Sequence, residues 1–264
     1  MVMEGLGWTF DTVAETYEKL RPGYVKALYD KVFQYSGLSE SSRAVEVGIG
    51  GGQATLPVLQ TGCEVTAVEP GTQFSALCRE KFGAYPNFSV MVGKFEEVPM
   101  EESAYDLIYS ASAFHWVPEA LGYPKVWAML KSGGAFARFA NHPFRGEDNA
   151  ALTEALDRLY ADYYYPFYNR EPQKITPYSE AEAAERAEIA SAYGFTDIQY
   201  ALFYRTRVFS GREYRLLLGT YSDHIAMDEP VREEFFTKVE EAIDRYGGQI
   251  TVYDTMDLQL ARKP

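Results

Sequence analysis

The stretch "VEVGIGGGQ", residues 45–53, decides how the rest of the sequence is interpreted. Four of the five residues from 48 to 52 are glycines, and they directly follow a short apolar run of the β type. Glycine loses more conformational freedom on folding than any other residue, so a cluster of glycines indicates a sharp turn or the close approach of another molecule. A glycine-rich turn between a strand and a helix is a typical binding place for a nucleotide-like ligand.

The next apolar run, "CEVTAVEP" at residues 63–70, supplies an acidic residue where such a ligand needs one. Glu69 lies at the end of this run. Its carboxylate has two acceptor oxygens, which can accept hydrogen bonds from two ribose hydroxyls. The glycines and Glu69 together predict a nucleotide-like ligand at the ends of the first two strands.

From the glycine turn outward, apolar runs alternate with helical segments. Strands are predicted within residues 43–48, 63–70, 88–99, 105–117 and 135–141, and helices at 53–62, 72–83 and 123–134 lie between them. Such alternation is typical of a parallel sheet with helices on both faces. The sequence therefore predicts an α/β fold.

The alternation stops after residue 141, where the second half of the chain begins. Two more strands are predicted at 195–209 and 250–263, with a helical segment at 213–246 between them. The expected architecture is a mostly parallel seven-stranded sheet with helices on both faces and a helical cap inserted before the last strand. We expect a single domain, residues 1–264, made of a helical lid (1–40), a cofactor-binding half (41–141) and a C-terminal half (142–264) with its cap around 213–246.

The composition limits the possible functions. The chain has 264 residues, a formal net charge of −13 and no stretch rich in Lys or Arg, which argues against general nucleic-acid binding. No apolar run reaches the roughly 18 residues of a membrane span, and the N-terminus lacks the features of a secretory signal. Cys63 and Cys78 form no CxxC pair and the histidines are scattered, so we expect no metal site and a reducing cytoplasm. A monomer or homodimer acting on a small molecule is expected.

Two classes of cofactor protein use a glycine turn followed by an acidic residue. Dinucleotide folds show GxGxxG, but after Gly48 and Gly50 the third position is Gln53, and the register starting at Gly50 fails in the same way. The turn has the pattern ExGxGxG instead, from Glu46 to Gly52. That pattern, with an acidic residue ending the next strand, resembles the class I methyltransferases that use S-adenosylmethionine.

The resemblance extends beyond the glycine turn and implies both fold and activity. Segments that look like those of the family, in the family's order, are "FDTVAETYEKLRPGY" (10–24), "VGKFEEVP" (92–99), "YDLIYSASAFHWV" (105–117) and "MLKSGGAFARF" (129–139). The segment "LLLGTYSDHI" (216–225) is similar to a bacterial branch of small-molecule methyltransferases. The resemblance implies a Rossmann-like class I methyltransferase fold, S-adenosylmethionine as cofactor, and methyl transfer to an acceptor by in-line displacement.

The resemblance also implies the cofactor contacts. Arg21 can pair with the methionine carboxylate, and Glu46 can orient the turn or meet the methionine ammonium. Lys94 stands where the family often has Asp for the adenine amino group, so Phe95 is expected to pack on the ring and Glu96 to accept its hydrogen bond. The full set of predicted cofactor contacts is Tyr17, Arg21, Glu46, Gly48, Gly50, Gln53, Glu69, Pro70, Phe95, Glu96 and Ser110.

The predicted substrate side lies after the fourth strand and in the cap. It consists of His115, Trp116, Tyr221 and His224. His115 is the candidate catalytic base because the unperturbed pKa of histidine is near neutral, and a purely structural role is its alternative. Methylases of nucleic-acid amines carry (D/N)PP(Y/F) after the fourth strand, where this chain has "SASAF" (110–114). A small organic acceptor, methylated on oxygen, carbon or nitrogen, is therefore expected.

Two other functions stay open on the sequence alone. A nicotinamide-dependent oxidoreductase requires that the glycine turn accept a pyrophosphate. A non-catalytic, methyltransferase-like cofactor-binding protein would bind a partner over residues 213–246.

Overall fold

The computed structural model describes Arg21 and residues 23–264. Within these residues, seven strands form one sheet in the order β3-β2-β1-β4-β5-β7-β6. The strands are β1 (Arg43–Val47), β2 (Glu64–Glu69), β3 (Phe88–Val92), β4 (Tyr105–Ala111), β5 (Leu130–Arg145), β6 (Thr196–Ser210) and β7 (Gln249–Arg262). The predicted cofactor contact Tyr17 lies outside the described residues, as does the first half of the predicted lid.

Strand direction differs between the two parts of the sheet. β1 pairs in parallel with β2 and β4, β2 with β3, and β4 with β5. β7 pairs antiparallel with both of its neighbours, β5 and β6. The sheet is therefore mixed, and the parallel prediction holds for β1 to β5 only, because the apolar pattern of a strand does not encode its direction.

Helices cover both faces of the sheet. They are α1 (Lys26–Ser36), α2 (Thr55–Leu59), α3 (Thr72–Lys81), α4 (Glu119–Met129), α5 (Ala150–Leu159), α6 (Glu180–Glu188), α7 (Gly211–Leu218), α8 (Ser222–Ile225) and α9 (Glu229–Arg245). Neighbouring residues of β1 belong to different core clusters: Ala44 packs with Leu28 of α1, and Val45 packs with Val126 of α4. This alternation places α1 to α3 on one face and α4 on the other.

Two helix boundaries show how the local sequence decides where helices end. α1 ends at Gly37, whose φ of 66° is the left-handed conformation that terminates many helices. α4 begins at Glu119 and ends at Met129, earlier than the predicted 123–134. The reason is that Leu130 is extended and already pairs with Tyr105 of β4 as the first residue of β5.

The cap packs around its own core. Helices α7, α8 and α9 lie between β6 and β7, as predicted, and α5 packs against them. The shared cluster includes Leu156 of α5, Leu217 of α7 and Phe235 of α9. The aromatic run after α5 continues as a π-helical turn, Tyr160–Tyr164, whose tyrosines also join this cluster.

The strand order positions the site. From β1 the chain proceeds to β2 and β3 on one side, and β4 and β5 lie on the other. The connections that leave β1 and β4 therefore diverge, and a crevice forms at the carboxyl ends of these strands, where open α/β sheets bind ligands. The glycine turn follows β1 at this point.

Candidate active site

A cleft with a volume of about 750 Å³ lies at the carboxyl ends of β1, β2, β4 and β5. This volume falls in the range of small-molecule sites, roughly 300–1,000 Å³. Predicted residues that line the cleft are Arg21, Gly48, Gly50, Gln53, Glu69, Pro70, Phe95, Glu96, His115, Trp116 and Tyr221. The structure thus brings together eleven of the fifteen predicted site residues at one crevice.

The glycine turn has a backbone that other residues adopt with difficulty. Gly48, Gly50 and Gly52 have φ values of 74°, 51° and 73°, in the left-handed region. A Cβ atom on Gly48 would lie 2.4 Å from the Cβ of Ala113, in the loop after β4. The glycines are therefore required both by the turn and by the close approach of the two loops that form the crevice.

Glu69 connects the glycine turn to the end of β2. Its Oε2 accepts a hydrogen bond from the Gly50 N–H at 2.9 Å, and its Oε1 accepts one from the Gly71 N–H at 2.9 Å. The side chain lines the cleft although the residue is only 7% exposed. The carboxylate therefore fixes the turn and faces the ligand space at the same time.

Glu46 is not at the cleft, which corrects the prediction of a cofactor contact. It is 0% exposed, and its Oε2 accepts hydrogen bonds from the hydroxyls of Thr55 at 2.7 Å and Tyr109 at 2.8 Å. Burial raises the pKa of Glu46 to about 8, because desolvation outweighs these two hydrogen bonds. Alternation along β1 points Glu46 toward the α1–α3 face, so it supports the start of α2 from behind the turn.

Ser110 also lies away from the cleft, and Ser112 takes the position expected for it. The Ser110 hydroxyl donates to the Val47 carbonyl at 2.8 Å, and Ser110 lines a small recess behind the cleft. Ser112 lines the cleft with a φ of 54°, and its Oγ bonds with the Tyr24 hydroxyl at 2.8 Å. A non-glycine residue in this region is uncommon and often marks a functional site. Nothing in the sequence distinguishes these two serines.

The predicted adenine side is assembled from the loop after β3. Pro70, Phe95 and Glu96 line the cleft together with Lys94. Phe95 is 3% exposed and packs on the face that carries α4. Lys94, at the position where the family often has Asp, forms an ion pair with Glu97 at 3.2 Å. Glu97 therefore partly neutralises the positive charge of Lys94.

His115 and Trp116 lie in the short 3₁₀ helix Phe114–Trp116 that follows β4. His115 lines the cleft. Desolvation by the surrounding walls, followed by the positive charges of Arg186 and Arg138, lowers the pKa of His115 to about 4. At neutral pH the ring is uncharged and a weak base, which disfavours the predicted catalytic role.

The cap contributes Tyr221 to the cleft but not His224. Tyr221 lies under the Arg21 guanidinium, whose carbon is 4.1 Å from the ring centroid, and Arg21 also donates to the Thr220 carbonyl at 3.0 Å. His224 is 5% exposed, and its ring nitrogens bond with Asp223 at 3.0 Å and with the Tyr160 hydroxyl at 3.2 Å. Its prediction as a substrate contact is corrected, because its side chain belongs to the core of the cap.

Sequence reasoning missed His142, which lines the cleft from β5. Its Nε2 is 3.0 Å from Oδ1 of Asp257 on β7. Asp257 is 0% exposed and also accepts from the Ala140 N–H at 3.0 Å and the Tyr178 hydroxyl at 3.2 Å. Burial opposes its ionisation, but the hydrogen bond and charge of His142 and the charge of Arg186 lower the pKa of Asp257. The two partners are 115 residues apart, so only the pairing of β5 with β7 brings them together.

Asn141, which precedes His142 on β5, is held by a cluster of charged side chains around the buried Asp254. Its Nδ2 donates to Oδ1 of Asp254 at 3.0 Å, and Asp254 forms ion pairs with Arg205 at 2.9 Å and Arg207 at 2.6 Å. Arg205 also donates to the Gly23 carbonyl at 2.8 Å. The cleft wall at β5 is thus fixed by β6, β7 and the segment before α1.

Among the described residues, no group of three or more His, Cys, Asp or Glu side chains is arranged to hold a metal ion. In the same part of the chain, no helix combines the length and the apolar character that crossing a membrane requires.

A family model described as "Methyltransferase domain" matches residues 45–137, which begin within β1 and continue through the glycine turn, β2, β3 and β4 into β5. An uncharacterized methyltransferase of Schizosaccharomyces pombe is 24% identical over 239 residues, covering 90% of this chain and 88% of that protein. An uncharacterized methyltransferase of Geobacillus thermodenitrificans is 30% identical over 148 residues, covering 53% of this chain and 67% of that protein. The likeness is therefore not restricted to bacteria.

A solved structure shows the same fold. It is phosphoethanolamine N-methyltransferase 2 of Haemonchus contortus in complex with S-adenosyl-L-methionine, with a TM-score of 0.55 and 16% identity. The match covers 96% of this chain, whereas this chain spans only 57% of the length of that one.

Proposed function

The chain belongs to the class I S-adenosylmethionine-dependent methyltransferases, and we propose that it transfers the methyl group to a small organic acceptor by in-line displacement. It is an enzyme, and S-adenosylmethionine is its cofactor. The two alternatives, a nicotinamide-dependent oxidoreductase and a non-catalytic cofactor-binding protein, are therefore set aside. The small-molecule acceptor, the cytoplasmic location and the monomeric or homodimeric state remain proposals.

The residues at the cleft fit this cofactor. The glycine turn lets a ligand approach the backbone, because Gly48 and Gly50 present no side chain and have left-handed φ values. Glu69 presents a carboxylate that can accept from ribose hydroxyls. Pro70 and Phe95 supply apolar surface beside it for the adenine ring. When bound, S-adenosylmethionine supplies an electrophilic methyl group on a sulfonium sulfur.

His142 is the group that this structure offers as proton acceptor where the nucleophile carries a proton. Asp257 is buried and its lowered pKa keeps it ionised, so it accepts a hydrogen bond from the Nε2–H of His142, which leaves Nδ1 as the basic nitrogen. The carboxylate also stabilises the imidazolium that forms. The ring stacks on Tyr178 with centroids 3.8 Å apart, which holds its orientation. His115 has no comparable carboxylate among the hydrogen bonds of the described residues.

The single observation that supports a small acceptor is the size of the cleft, about 750 Å³, which continues beyond the glycine turn. Trp116, Tyr221 and Pro143 line it there, from three separate elements. A macromolecule presents its target atom on a larger surface than such walls admit, whereas a small molecule can be surrounded by them.

The test is a labelled-methyl assay in which each class of acceptor is tested separately. The purified chain is incubated with methyl-labelled S-adenosylmethionine and, separately, with a metabolite extract, with protein freed of small molecules, and with RNA. We expect label in the small-molecule fraction only. Label in protein or RNA instead would contradict the proposed acceptor class.

Glu69→Ala is the negative control for this assay. Hydrogen bonds to a charged group contribute about 1.5–3 kcal/mol each, so the dissociation constant of S-adenosylhomocysteine should rise at least about tenfold. The matched control is Glu97→Ala, which removes an exposed carboxylate that does not line the cleft. Equal affinities for both variants, measured by calorimetry, would exclude Glu69 as a cofactor contact.

A further inference from the structure

Strand β6 forms one edge of the sheet, and it is the longer of the two edge strands. It pairs with β7 alone, and it has 15 residues, whereas β3 at the opposite edge has 5. Among the described residues, the backbone of residues 200–209 forms hydrogen bonds only with β7. Because an antiparallel ladder uses the N–H and C=O groups on one side of a strand, β6 presents a row of unused donors and acceptors on its outer side.

Most of β6 lacks the features that keep edge strands from pairing. Natural edges are protected by short length, bulges, prolines or exposed charges. A register shift interrupts β6 before Gln199, but residues 199–210 continue without another shift, a proline or a lysine. The two arginines in this part, Arg205 and Arg207, form ion pairs with the buried Asp254. The outer side of β6 is therefore able to accept another strand.

One face of this edge carries large side chains that remain in contact with water. Tyr204 is 70% exposed, Val208 is 55% exposed and Tyr200 is 40% exposed. The three side chains point to the same face because alternate residues of a strand do so. A second strand paired with the edge would cover part of this apolar surface.

The charge distribution favours a second copy of the chain as the occupant. A basic partner would be attracted to the acidic remainder of a chain whose formal net charge is −13, rather than to β6. Within β6 the single acidic residue is Asp197, which lies near the start of the strand and forms an ion pair with Arg262 at 3.6 Å. Two copies therefore repel each other least when they approach along β6.

The sequence of the edge is also complementary to itself. In an antiparallel pair centred on Tyr204, the regular part of the strand, residues 199–209, faces its own copy over its whole length. The two Tyr204 side chains then lie opposite each other, and Tyr200 lies opposite Val208. Aromatic pairs and pairs of an aromatic with a β-branched residue are favourable across neighbouring strands.

The arginines of β6 are compatible with this register. Arg205 of one copy lies opposite Phe203 of the other, and Arg207 lies opposite Ala201. Like charges directly opposite each other would destabilise the pair, and this register opposes none.

We propose that the chain forms a homodimer in which β6 pairs antiparallel with β6 of a second copy, centred on Tyr204. This contact uses the same surface of both copies, so a two-fold axis closes it. It joins the two seven-stranded sheets into one continuous sheet. Because Tyr204 does not line the cleft, the dimer is independent of the cofactor and of the methyl acceptor.

Light scattering of the full chain over a range of concentrations tests the dimer. We expect the mass of two chains for the unmodified protein. Tyr204→Lys removes the aromatic pair and places two like charges opposite each other, so the dissociation constant of the dimer should rise about tenfold or more. The matched control is Tyr253→Lys, at a 39% exposed tyrosine of β7, one strand in from the edge. It should leave the dissociation constant unchanged.

A cysteine at the centre of the pair tests the register. Tyr204→Cys places two thiols opposite each other, so mild oxidation should link the two chains by a disulfide. The native Cys63 and Cys78 are both buried. Tyr253→Cys is the matched control and should stay unlinked. Binding of S-adenosylhomocysteine, which none of these changes should affect, shows that each variant is folded.

Three results would overturn the proposal. The mass of a single chain at every concentration would exclude the dimer and leave the edge of β6 to a strand of another protein. A dimer that Tyr204→Lys leaves intact, or that Tyr204→Cys does not link, would lie at a different surface. Masses above that of two chains would contradict a contact closed by a two-fold axis.

Discussion

At the scale of single residues, side-chain direction separates groups of the same chemistry. Glu46 and Glu69 are acidic residues on neighbouring strands, yet one is enclosed between Thr55 and Tyr109 and the other faces the cleft. His142 and His115 both line the cleft, yet only His142 has a carboxylate partner. The environment of each residue therefore decides whether it stabilises the fold or is available to a ligand.

Glu46 makes the stability of the protein depend on pH. The pKa is about 8 in the folded state, against about 4.3 in the unfolded chain. Between these values the folded state holds a proton that the unfolded state has lost, so the free energy of unfolding falls as pH rises from about 4.5 toward 8. Glu46→Gln carries no such proton and should flatten this slope. Urea unfolding at pH 5 and pH 8 measures it.

The control for this experiment is Glu64→Gln, at the exposed start of β2. Its slope should match that of the unmodified chain. A pH slope that Glu46→Gln leaves intact would show that Glu46 ionises normally in the folded state.

His142 should affect turnover rather than cofactor binding. Loss of a positioned proton acceptor lowers kcat about 10²- to 10⁴-fold, so we expect that loss for His142→Gln, with the affinity for S-adenosylhomocysteine unchanged. The kinetic measurements use, as substrate, the acceptor that the labelled-methyl assay identifies. The loss of kcat should be much smaller in His115→Gln. A loss in His115→Gln that equals or exceeds that in His142→Gln would make His115 the base.

At the scale of elements, the site depends on the contact between two loops. The turn after β1 and the loop after β4 approach so closely that Gly48 and Ala113 leave no room for another carbon atom. The glycine pattern of the turn was visible in the sequence. The approach of the second loop was not, because it depends on the parallel pairing of β1 with β4.

Gly48→Ala should therefore lower the free energy of unfolding by more than backbone strain alone would, because the new methyl group also collides with Ala113. Gly133 has a similar φ of 79° but open space around it, so Gly133→Ala measures strain alone, about 1–2 kcal/mol. The contact of Gly48 should add about 1–3 kcal/mol. Thermal unfolding compares the two variants. The double variant Gly48→Ala with Ala113→Gly should recover part of the loss, and equal costs for the two single variants would contradict the steric argument.

At the scale of the whole molecule, the alternation of strands and helices and the position of the crevice follow from local sequence patterns, whereas the contacts of the cleft wall at β5 do not. The glycines, Glu69 and Phe95 belong to local patterns, so their places could be predicted. The sequence predicts Ser110 as a cleft residue, but Ser112 lines the cleft. The reason is that a sequence pattern does not locate the end of a strand to within two residues. The partners of His142 are Asp257 on β7 and Tyr178 before α6, and no local sequence pattern reports such contacts.

The Asp254 cluster joins distant parts of the chain and should matter to global stability. Burial opposes ionisation, but hydrogen bonds from Arg207 and Asn141 and the charge of Arg207 lower the pKa of Asp254. Removing one partner of a buried pair costs about 3–5 kcal/mol, so Asp254→Ala should lower the free energy of unfolding by about that amount. Asp157→Ala, whose side chain is 61% exposed beside Arg145, should cost at most about 1 kcal/mol.

The same cluster has a pH signature of opposite sign to that of Glu46. An acid with a lowered folded pKa contributes stability that is present above its unfolded pKa of about 3.9 and is lost as pH falls through the folded value. Urea unfolding below pH 4 should therefore show a smaller acid-induced loss in Asp254→Ala than in the unmodified chain. An identical loss in both would show that Asp254 contributes nothing to acid sensitivity.

The position of β7 between β5 and β6 also bears on how the protein is made. On the ribosome, residues 130–145 and 196–210 emerge before residues 249–262, which must later insert between them. Until then both strands present unpaired edges, which are templates for aggregation. The nascent chain thus stays vulnerable until β7 is synthesised, and production in a host should improve when chaperones shield those edges.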